Sequence, residues 1–201
     1  MRKDIKEYFE IMKGLFDRVI ATGRNARVYQ LDEAVDISIR MITDHAALGG
    51  KLIFIGNGAS ATISSHIAVD FWKNGNIRAV SFNDSSLLTC ISNDYGYEHV
   101  FEKPIEMFAE PNDILVAISS SGRSENILRS ISAAEQKGLK IITLSGFDKA
   151  NPLRKLGDVN FYVPIAQYGY VETVHAAICH CLVDIVIKNR LGLTKKAKCH
   201  E

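Results

Sequence analysis

The stretch Phe54–His66, FIGNGASATISSH, sets a short apolar run against a glycine-containing turn and then a row of hydroxyl side chains. The apolar run KLIFIG (51–56) is typical of a strand that is buried on both faces. The turn over 56–60 would lead from the end of that strand into a helix. Ligands of open α/β sheets bind at such strand ends, so this stretch predicts both the fold and the position of a binding site.

The rest of the chain repeats this alternation of strand and helix. Two amphipathic helices are predicted before it, from Lys3 to about His45, with a break at 22–25. The segments after KLIFIG are AVSFND, a helical LLTCISNDYGYEHVFEKPIEMFA, DILVAISSSG, a helix from about Glu125 to Lys137, LKIITLSG, a short helical turn, VNFYVPI and a last helix from about Val171 to Leu191. The alternation predicts an α/β fold in which helices flank a parallel β-sheet on both faces.

The length of 201 residues predicts one domain with its own core. We expect residues 1–48 to form helices that pack between subunits, because their broad apolar faces exceed what one sheet layer covers. Residues 49–191 would form the α/β core, and residues 192–201 a basic tail.

Composition excludes several classes of partner. The chain has 24 Lys and Arg against 23 Asp and Glu, a net charge of +1, so no global charge attracts nucleic acid or an anionic membrane. No apolar run approaches the roughly 18 residues of a membrane span. The N-terminus MRKDIKEYFEIMKGLF has no signal-peptide pattern, and the four cysteines show no CxxC pairing. We therefore predict a cytoplasmic protein with reduced thiols and neither nucleic-acid nor membrane partners.

Two predicted strand ends share the same chemistry. One is the loop 56–60, GNGAS, and the other is the loop 119–124, SSSGRS. Backbone N–H groups, serine hydroxyls and a helix N-terminus favour an anion at such places. The alternative is that Ser, Asn and Gly only cap helices and form turns. Two such loops at buried strand ends favour a small phosphorylated metabolite, and the lack of GxGxxG and GxxxxGK[ST] argues against a nucleotide cofactor.

Imidazole and carboxylate groups are paired on two predicted helices. His66 and Asp70 stand four residues apart, and Glu172 and His180 stand eight apart, so each pair lies within about one helical face. The alternative is a surface His/Asp pair and a core histidine. His175 lies about 140° from His180 around the helix and is predicted to be structural.

Taken together, these motifs resemble the SIS (sugar isomerase) fold, and specifically the phosphoheptose isomerases. The resemblance rests on GNGASATISSH followed by Asp70, on Asn93-Asp94 in SNDYG, on SSSGRS and on the final-helix pattern E-T-V-H-x4-H, and it covers nearly the whole chain. It implies a three-layer α-β-α sandwich and the isomerisation of sedoheptulose 7-phosphate to D-glycero-D-manno-heptose 7-phosphate, an early step of bacterial heptose synthesis. It also implies a homotetramer with active sites between subunits and, in many members, one zinc ion.

The resemblance also implies roles for individual residues. The catalytic groups would be Asp70 and His180, with Glu172 as a further candidate. The substrate-binding residues would be Asn57, Gly58, Ala59, Ser60, Asn93, Asp94, Ser119, Ser120, Ser121, Ser124 and Glu172. The metal ligands would be His66, Asp70, Glu172 and His180.

Three positions depart from the family pattern. Asp70 stands where the family usually has a glutamate base, Glu172 where it usually has glutamine, and Ala59 where the second glycine of GNGGS usually stands. Aspartate would hold its carboxylate about 1.5 Å farther back, and a misplacement of about 1 Å can cost ~100-fold in rate. Three explanations are open: the helix has moved inward, Glu172 has become the base, or Asp70 is a metal ligand.

Two imidazoles and two carboxylates form a plausible zinc set, and the additional carboxylate favours a divalent cation. Other functions that the sequence leaves open are an isomerase of a different sugar phosphate and a non-catalytic SIS protein. The latter would sense a sugar phosphate or bind the replication initiator DnaA. The retained titratable groups favour catalysis.

Overall fold

The computed structural model describes residues 2–198 and contains seven helices and seven strands in this range. The helices are α1 (Lys3–Leu15), α2 (Leu31–Ala47), α3 (Ala59–Lys73), α4 (Ser85–Asp94), α5 (Glu102–Phe108), α6 (Glu125–Gln136) and α7 (Tyr168–Lys198). The strands are β1 (Ile20–Gly23), β2 (Val28–Tyr29), β3 (Leu52–Gly56), β4 (Ala79–Ser81), β5 (Ile114–Ser119), β6 (Lys140–Ser145) and β7 (Val159–Tyr162). The predicted alternation of strands and helices is confirmed.

One sheet of seven strands forms the centre, in the order β2-β1-β7-β6-β5-β3-β4. The five strands from β7 to β4 are parallel, as predicted. The hairpin of β1 and β2 joins the edge antiparallel to β7, so the sheet is mixed. The sequence reading missed this hairpin, because strands of four and two residues are too short to show a period-2 pattern. Its register is held by Asn160, whose side-chain amide donates to the Thr22 carbonyl at 3.1 Å.

Two hydrophobic clusters cover the two faces of the sheet. Alternate residues of β3 show this division: Leu52 and Phe54 join the cluster under α2, α3 and α7, whereas Ile53 and Ile55 join the cluster under α5 and α6. All five β3 residues are buried, as expected for a central parallel strand. The fold is thus the three-layer α-β-α sandwich that the resemblance implied.

Two helix boundaries differ from the prediction. The helical stretch after AVSFND is broken into α4, a short 3-10 turn and α5, because Gly96 follows the end of α4. The last helix begins at Tyr168 and continues to Lys198 instead of ending at about Leu191. Most of the predicted 192–201 tail is therefore helical, and residues 199–201 lie outside the described part of the chain.

Helix α7 is long and apolar enough over Tyr168–Gly192 to cross a membrane by length and composition alone. Half of its most apolar window is buried inside the protein, as in the core helix of a soluble domain. Val171, Val174, Leu182 and Val186 all pack into the cluster under α2 and α3. Burial against the sheet accounts for the hydrophobicity of this helix.

Candidate active site

The loop between β3 and α3 turns sharply at Gly58. Its backbone has φ +56° and ψ −124°, in a region that favours glycine. Helix α3 starts at the next residue, Ala59, which has no positive φ. Alanine therefore fits where the family pattern has a second glycine, and the backbone N–H groups at the start of α3 stay at the strand end.

The loop between β5 and α6 carries the four serines. Gly122 has φ +62°, and its N–H donates to the Ser119 carbonyl at 3.0 Å. The hydroxyl oxygens of Ser119 and Ser124 are 3.5 Å apart. Ser124 directly precedes α6, yet its side chain makes no capping hydrogen bond to that helix. The interpretation of Ser124 as a simple helix cap therefore fails, and its hydroxyl remains available to a ligand.

A pair of asparagines ties the two loops together. The side-chain amide of Asn57 donates to the Asn126 oxygen at 3.0 Å, and the Asn126 amide donates back to the Asn57 oxygen at 2.9 Å. The hydroxyl of Tyr97 also donates to the Asn57 oxygen, at 2.9 Å. Sequence reasoning missed Asn126 and Tyr97, since no local motif marks a contact between residues this far apart in the chain.

Both loops open into one pocket of about 250 Å³. It is lined by Asn57, Gly58, Ala59, Ser60, Ser119, Ser120, Ser121, Ser124, Tyr168 and Glu172. The Ser120 hydroxyl is buried and has no hydrogen-bond partner among the described residues. A buried hydroxyl without a partner is costly, so this atom indicates a polar ligand in the pocket. Nine of the predicted site residues are brought together here, and Tyr168 is an addition.

A second group of titratable side chains lies between α3 and α7. The Asp70 carboxylate is 3.3 Å from Nε2 of His66 and 3.8 Å from Nδ1 of His180. The other Asp70 oxygen accepts a hydrogen bond from the Asn74 amide at 3.1 Å. One potential ligand atom from each of His66, Asp70 and His180 lies within 4.8 Å of the other two, as a metal site would require. We refer to these three residues as the His–Asp cluster.

Glu172 is not part of this cluster. It lines the serine pocket, whereas His180 stands eight residues farther along α7, about 12 Å along the helix axis. One chain thus groups three of the four predicted metal ligands, and the inclusion of Glu172 in the metal set stays a prediction.

Asn93 and Asp94 lie at the end of α4 and do not line the pocket. The Asn93 amide donates to the Asp94 carboxylate at 2.8 Å, and both residues are exposed. Within one chain this pair lies outside the pocket, and its contact with the substrate stays a prediction.

His175 is fully buried, as its predicted structural role requires. Its Nε2 donates to the Ser145 carbonyl at 3.1 Å, while Nδ1 has no partner among the described residues. Burial lowers the pKa of this imidazole to about 4, so the ring is neutral at pH 7. Burial likewise raises the pKa of the Cys179 thiol to about 12, which makes this residue an inert core thiol.

Comparison with known proteins matches this architecture to one family. A family model of the SIS domain matches residues 7–146. A phosphoheptose isomerase from Syntrophotalea carbinolica is 32% identical and covers 92% of each chain, and one from Solidesulfovibrio magneticus is 37% identical over 77% of this chain and 78% of that protein. The structure of a phosphoheptose isomerase from Francisella tularensis superposes with a TM-score of 0.80 at 27% identity, over 94% of this chain and all of the other.

Proposed function

The chain belongs to the SIS domain family and, within it, to the phosphoheptose isomerase enzymes, and we propose that it interconverts sedoheptulose 7-phosphate and D-glycero-D-manno-heptose 7-phosphate. The product would enter bacterial heptose synthesis. The observation that carries the proposal is the pocket at the ends of β3 and β5, where serine hydroxyls, the N-terminus of α6 and one carboxylate face the same space.

The serine loop would bind the phosphate. The Ser119, Ser120, Ser121 and Ser124 hydroxyls would donate to phosphate oxygens, and the α6 N-terminus would favour the negative charge. The loop from Asn57 to Ser60 would hold the sugar. A volume of about 250 Å³ leaves room for carbon atoms beside the phosphate.

Isomerisation requires a base that removes the C1 proton of the ketose and returns a proton to C2, while an acid transfers protons between the two oxygens of the enediol. We assign the base to Glu172. Its carboxylate lines the substrate pocket, whereas the Asp70 oxygens face His66, His180 and Asn74. Of the three explanations for the departures from the family pattern, this geometry supports a base at Glu172 and a ligand at Asp70.

The His–Asp cluster would hold one Zn²⁺. Two imidazole nitrogens and one carboxylate oxygen form the three-ligand set of catalytic zinc sites, which keep a fourth position open. The side chain of His66, the most exposed of the three, already stands 3.3 Å from the Asp70 carboxylate. When bound, zinc would act as a Lewis acid that polarises a substrate oxygen. His180 would fix the Asp70 carboxylate and act as the acid in the absence of metal.

The active site would be completed by a second subunit of a homotetramer. Glu172 lines the serine pocket and is separated from His180 by about 12 Å of helix rise, so one chain places the two groups in different regions. Glu172 of the partner subunit would instead approach the His–Asp cluster. A groove of about 650 Å³ between α2, α7 and the segment after α1 is lined mainly by apolar side chains and would serve as an interface. A monomer by light scattering would contradict this assembly.

We further propose that the chain works in the cytoplasm as a single domain. Residues 1–48 would serve the subunit contacts, because Tyr8, Phe9 and Phe16 of this segment are exposed in one chain. The α/β core would carry the substrate site.

The test is an NMR time course of sedoheptulose 7-phosphate with the purified protein in deuterated water. One arm would contain added zinc and the other a chelator. We expect the aldoheptose to form with solvent deuterium at C2, and the chelator arm to be slower. If neither arm shows turnover although phosphate binds, the substrate is a different sugar phosphate or the protein is a sensor.

A further inference from the structure

Tyr168 is an exposed aromatic residue at the mouth of the serine pocket. It is the first residue of α7 and lines the pocket together with both loops, yet 61% of its surface is accessible. An aromatic ring over a polar pocket offers an apolar face beside hydrogen-bonding groups. The other lining residues are small or polar, so among them Tyr168 supplies the apolar surface.

Phe147 holds this ring in place. The two rings meet edge to face, with centroids 4.7 Å apart and an interplanar angle of 66°. Phe147 has φ +59°, a left-handed conformation that is rare for a bulky residue. Its N–H donates to the Ile165 carbonyl at 3.1 Å, and its carbonyl accepts from the Tyr162 hydroxyl at 2.8 Å. Strained backbone that its surroundings fix in this way is typical of functional sites.

The segment that carries Phe147 is also tied to the serine loop. The N–H of Gly146 donates to the Ser120 carbonyl at 2.9 Å. The Asp148 carboxylate accepts from the Arg123 guanidinium at 2.6 Å. Gly146 and Asp148, the neighbours of Phe147, are thus bonded to the loop that would bind the phosphate. Because Phe147 contacts Tyr168, the Tyr168 ring is held at a set position relative to that phosphate.

We infer that Tyr168 is a specificity-determining residue whose ring packs against the carbon chain of the bound sugar phosphate. This inference rests on the proposed function and deepens it. The ligand class is a phosphorylated sugar whose carbon chain extends from the serine loop past the start of α7. The phosphate alone is too small to need the ring, so the contribution of Tyr168 increases with the length of the carbon chain.

The experiment compares the binding of three probes by calorimetry: inorganic phosphate, ribose 5-phosphate and sedoheptulose 7-phosphate. Each is titrated into the wild-type protein, Tyr168→Ala, Tyr168→Phe and Phe147→Ala. The matched control is Tyr95→Ala, which removes a tyrosine of similar exposure, 59%, that does not line the pocket.

We expect Tyr168→Ala to weaken sedoheptulose 7-phosphate about tenfold, the size of one good aromatic contact. Inorganic phosphate should stay within twofold of the wild type, and ribose 5-phosphate should fall between. Tyr168→Phe should bind like the wild type, because the ring face remains. Phe147→Ala should weaken the three probes in the same ranking but by a smaller factor, because it leaves the Tyr168 ring present but no longer held in place.

Equal losses for all three probes would overturn the inference, because they would mean that Tyr168 only supports the structure of the pocket. Unchanged binding of sedoheptulose 7-phosphate by Tyr168→Ala would overturn it as well. If the wild-type protein binds phosphate but neither sugar phosphate, the proposed function is wrong. This result is read from the wild-type protein alone and is therefore distinct from the two outcomes for Tyr168→Ala.

Discussion

The serine pocket and the His–Asp cluster differ in how completely one chain builds them. The pocket is held by hydrogen bonds within and between its loops, and its serines Ser119 and Ser120 are each only 5% exposed. In the cluster, the side chains of His66 and His180 are 61% and 45% exposed, and their ring nitrogens stand 3.3 and 3.8 Å from the Asp70 carboxylate. A site that is complete before the ligand binds suits recognition of phosphate. An open cluster suits chemistry that needs a metal or another subunit to complete it.

The largest effect is expected when the carboxylate of one region is replaced and that of the other is kept. Glu172→Gln restores the residue that the family pattern usually has there, and Asp70→Glu restores the usual base. If Glu172 is the base in this chain, Glu172→Gln should lower kcat about 10³-fold, the middle of the range for general-base catalysis. The binding of inorganic phosphate should not weaken, because the amide keeps the shape of the carboxylate and removes a negative charge from the pocket. Steady-state kinetics with sedoheptulose 7-phosphate measure the first effect.

Asp70→Asn is the matched control for that variant. Asp70→Asn should lose zinc, whereas Glu172→Gln should retain it, because His66, Asp70 and His180 remain in place. The measurement is the metal content per subunit after purification without chelator. Retained activity in Glu172→Gln would return the base to Asp70. In that case Asp70→Glu should be at least as active as the wild-type protein.

A second prediction concerns the rigidity of the pocket. In Gly122→Ala the new methyl group would overlap the side chain of Asn151, and the residue would keep φ +62°. Asn151 cannot move aside, because it is fully buried and its amide donates to the carbonyls of Gly146 and Asp148 at 3.1 and 2.8 Å. We expect a loss of about 3 kcal/mol in the free energy of unfolding and a loss of phosphate binding.

Gly138→Ala provides the control for this substitution. Gly138 has φ +77°, but no heavy atom lies within 4 Å of the position of an added methyl group. The cost there should be backbone strain alone, about 1 kcal/mol, with normal phosphate binding. Equal stability of the two variants in urea denaturation would show that the pocket is less tightly packed than its contacts indicate.

The two regions also differ in how far the sequence predicts them. The serine pocket could be predicted, because an apolar strand followed by a Gly/Ser loop has a short-range signature at Gly56–Ser60 and again at Ser119–Ser124. The cross-loop contact between Asn57 and Asn126 has no such signature, since it depends on β3 and β5 being neighbours. The β1–β2 hairpin has no such signature either, because strands of four and two residues are too short to show an alternating pattern.

The metal ligands show where local motifs stop being informative. His66, Asp70 and His180 come together because α3 and α7 pack against each other, and no short sequence pattern marks that contact. Glu172 lies on α7 two turns, about 12 Å, before His180 and lines the serine pocket. Its place in the metal set stays a prediction that a single chain does not test.

The last prediction tests whether the core around His175 is as dry as its packing indicates. His175 contacts the Ser145 carbonyl at the end of β6 and is neutral because its pKa in the folded protein is about 4, against 6.5 when exposed. Between these values the unfolded chain binds a proton that the folded protein does not, so stability falls as the pH decreases from 6.5 toward 4. From pH 7.5 to pH 5 this group alone should remove about 2 kcal/mol from the free energy of unfolding.

His175→Gln keeps a hydrogen-bond donor without the titration, so its urea-denaturation free energy should fall by about 2 kcal/mol less over the same pH range. An equal fall in both proteins would mean that water reaches the imidazole and that the core between α7 and the end of β6 is less tightly packed than the burial of His175 indicates.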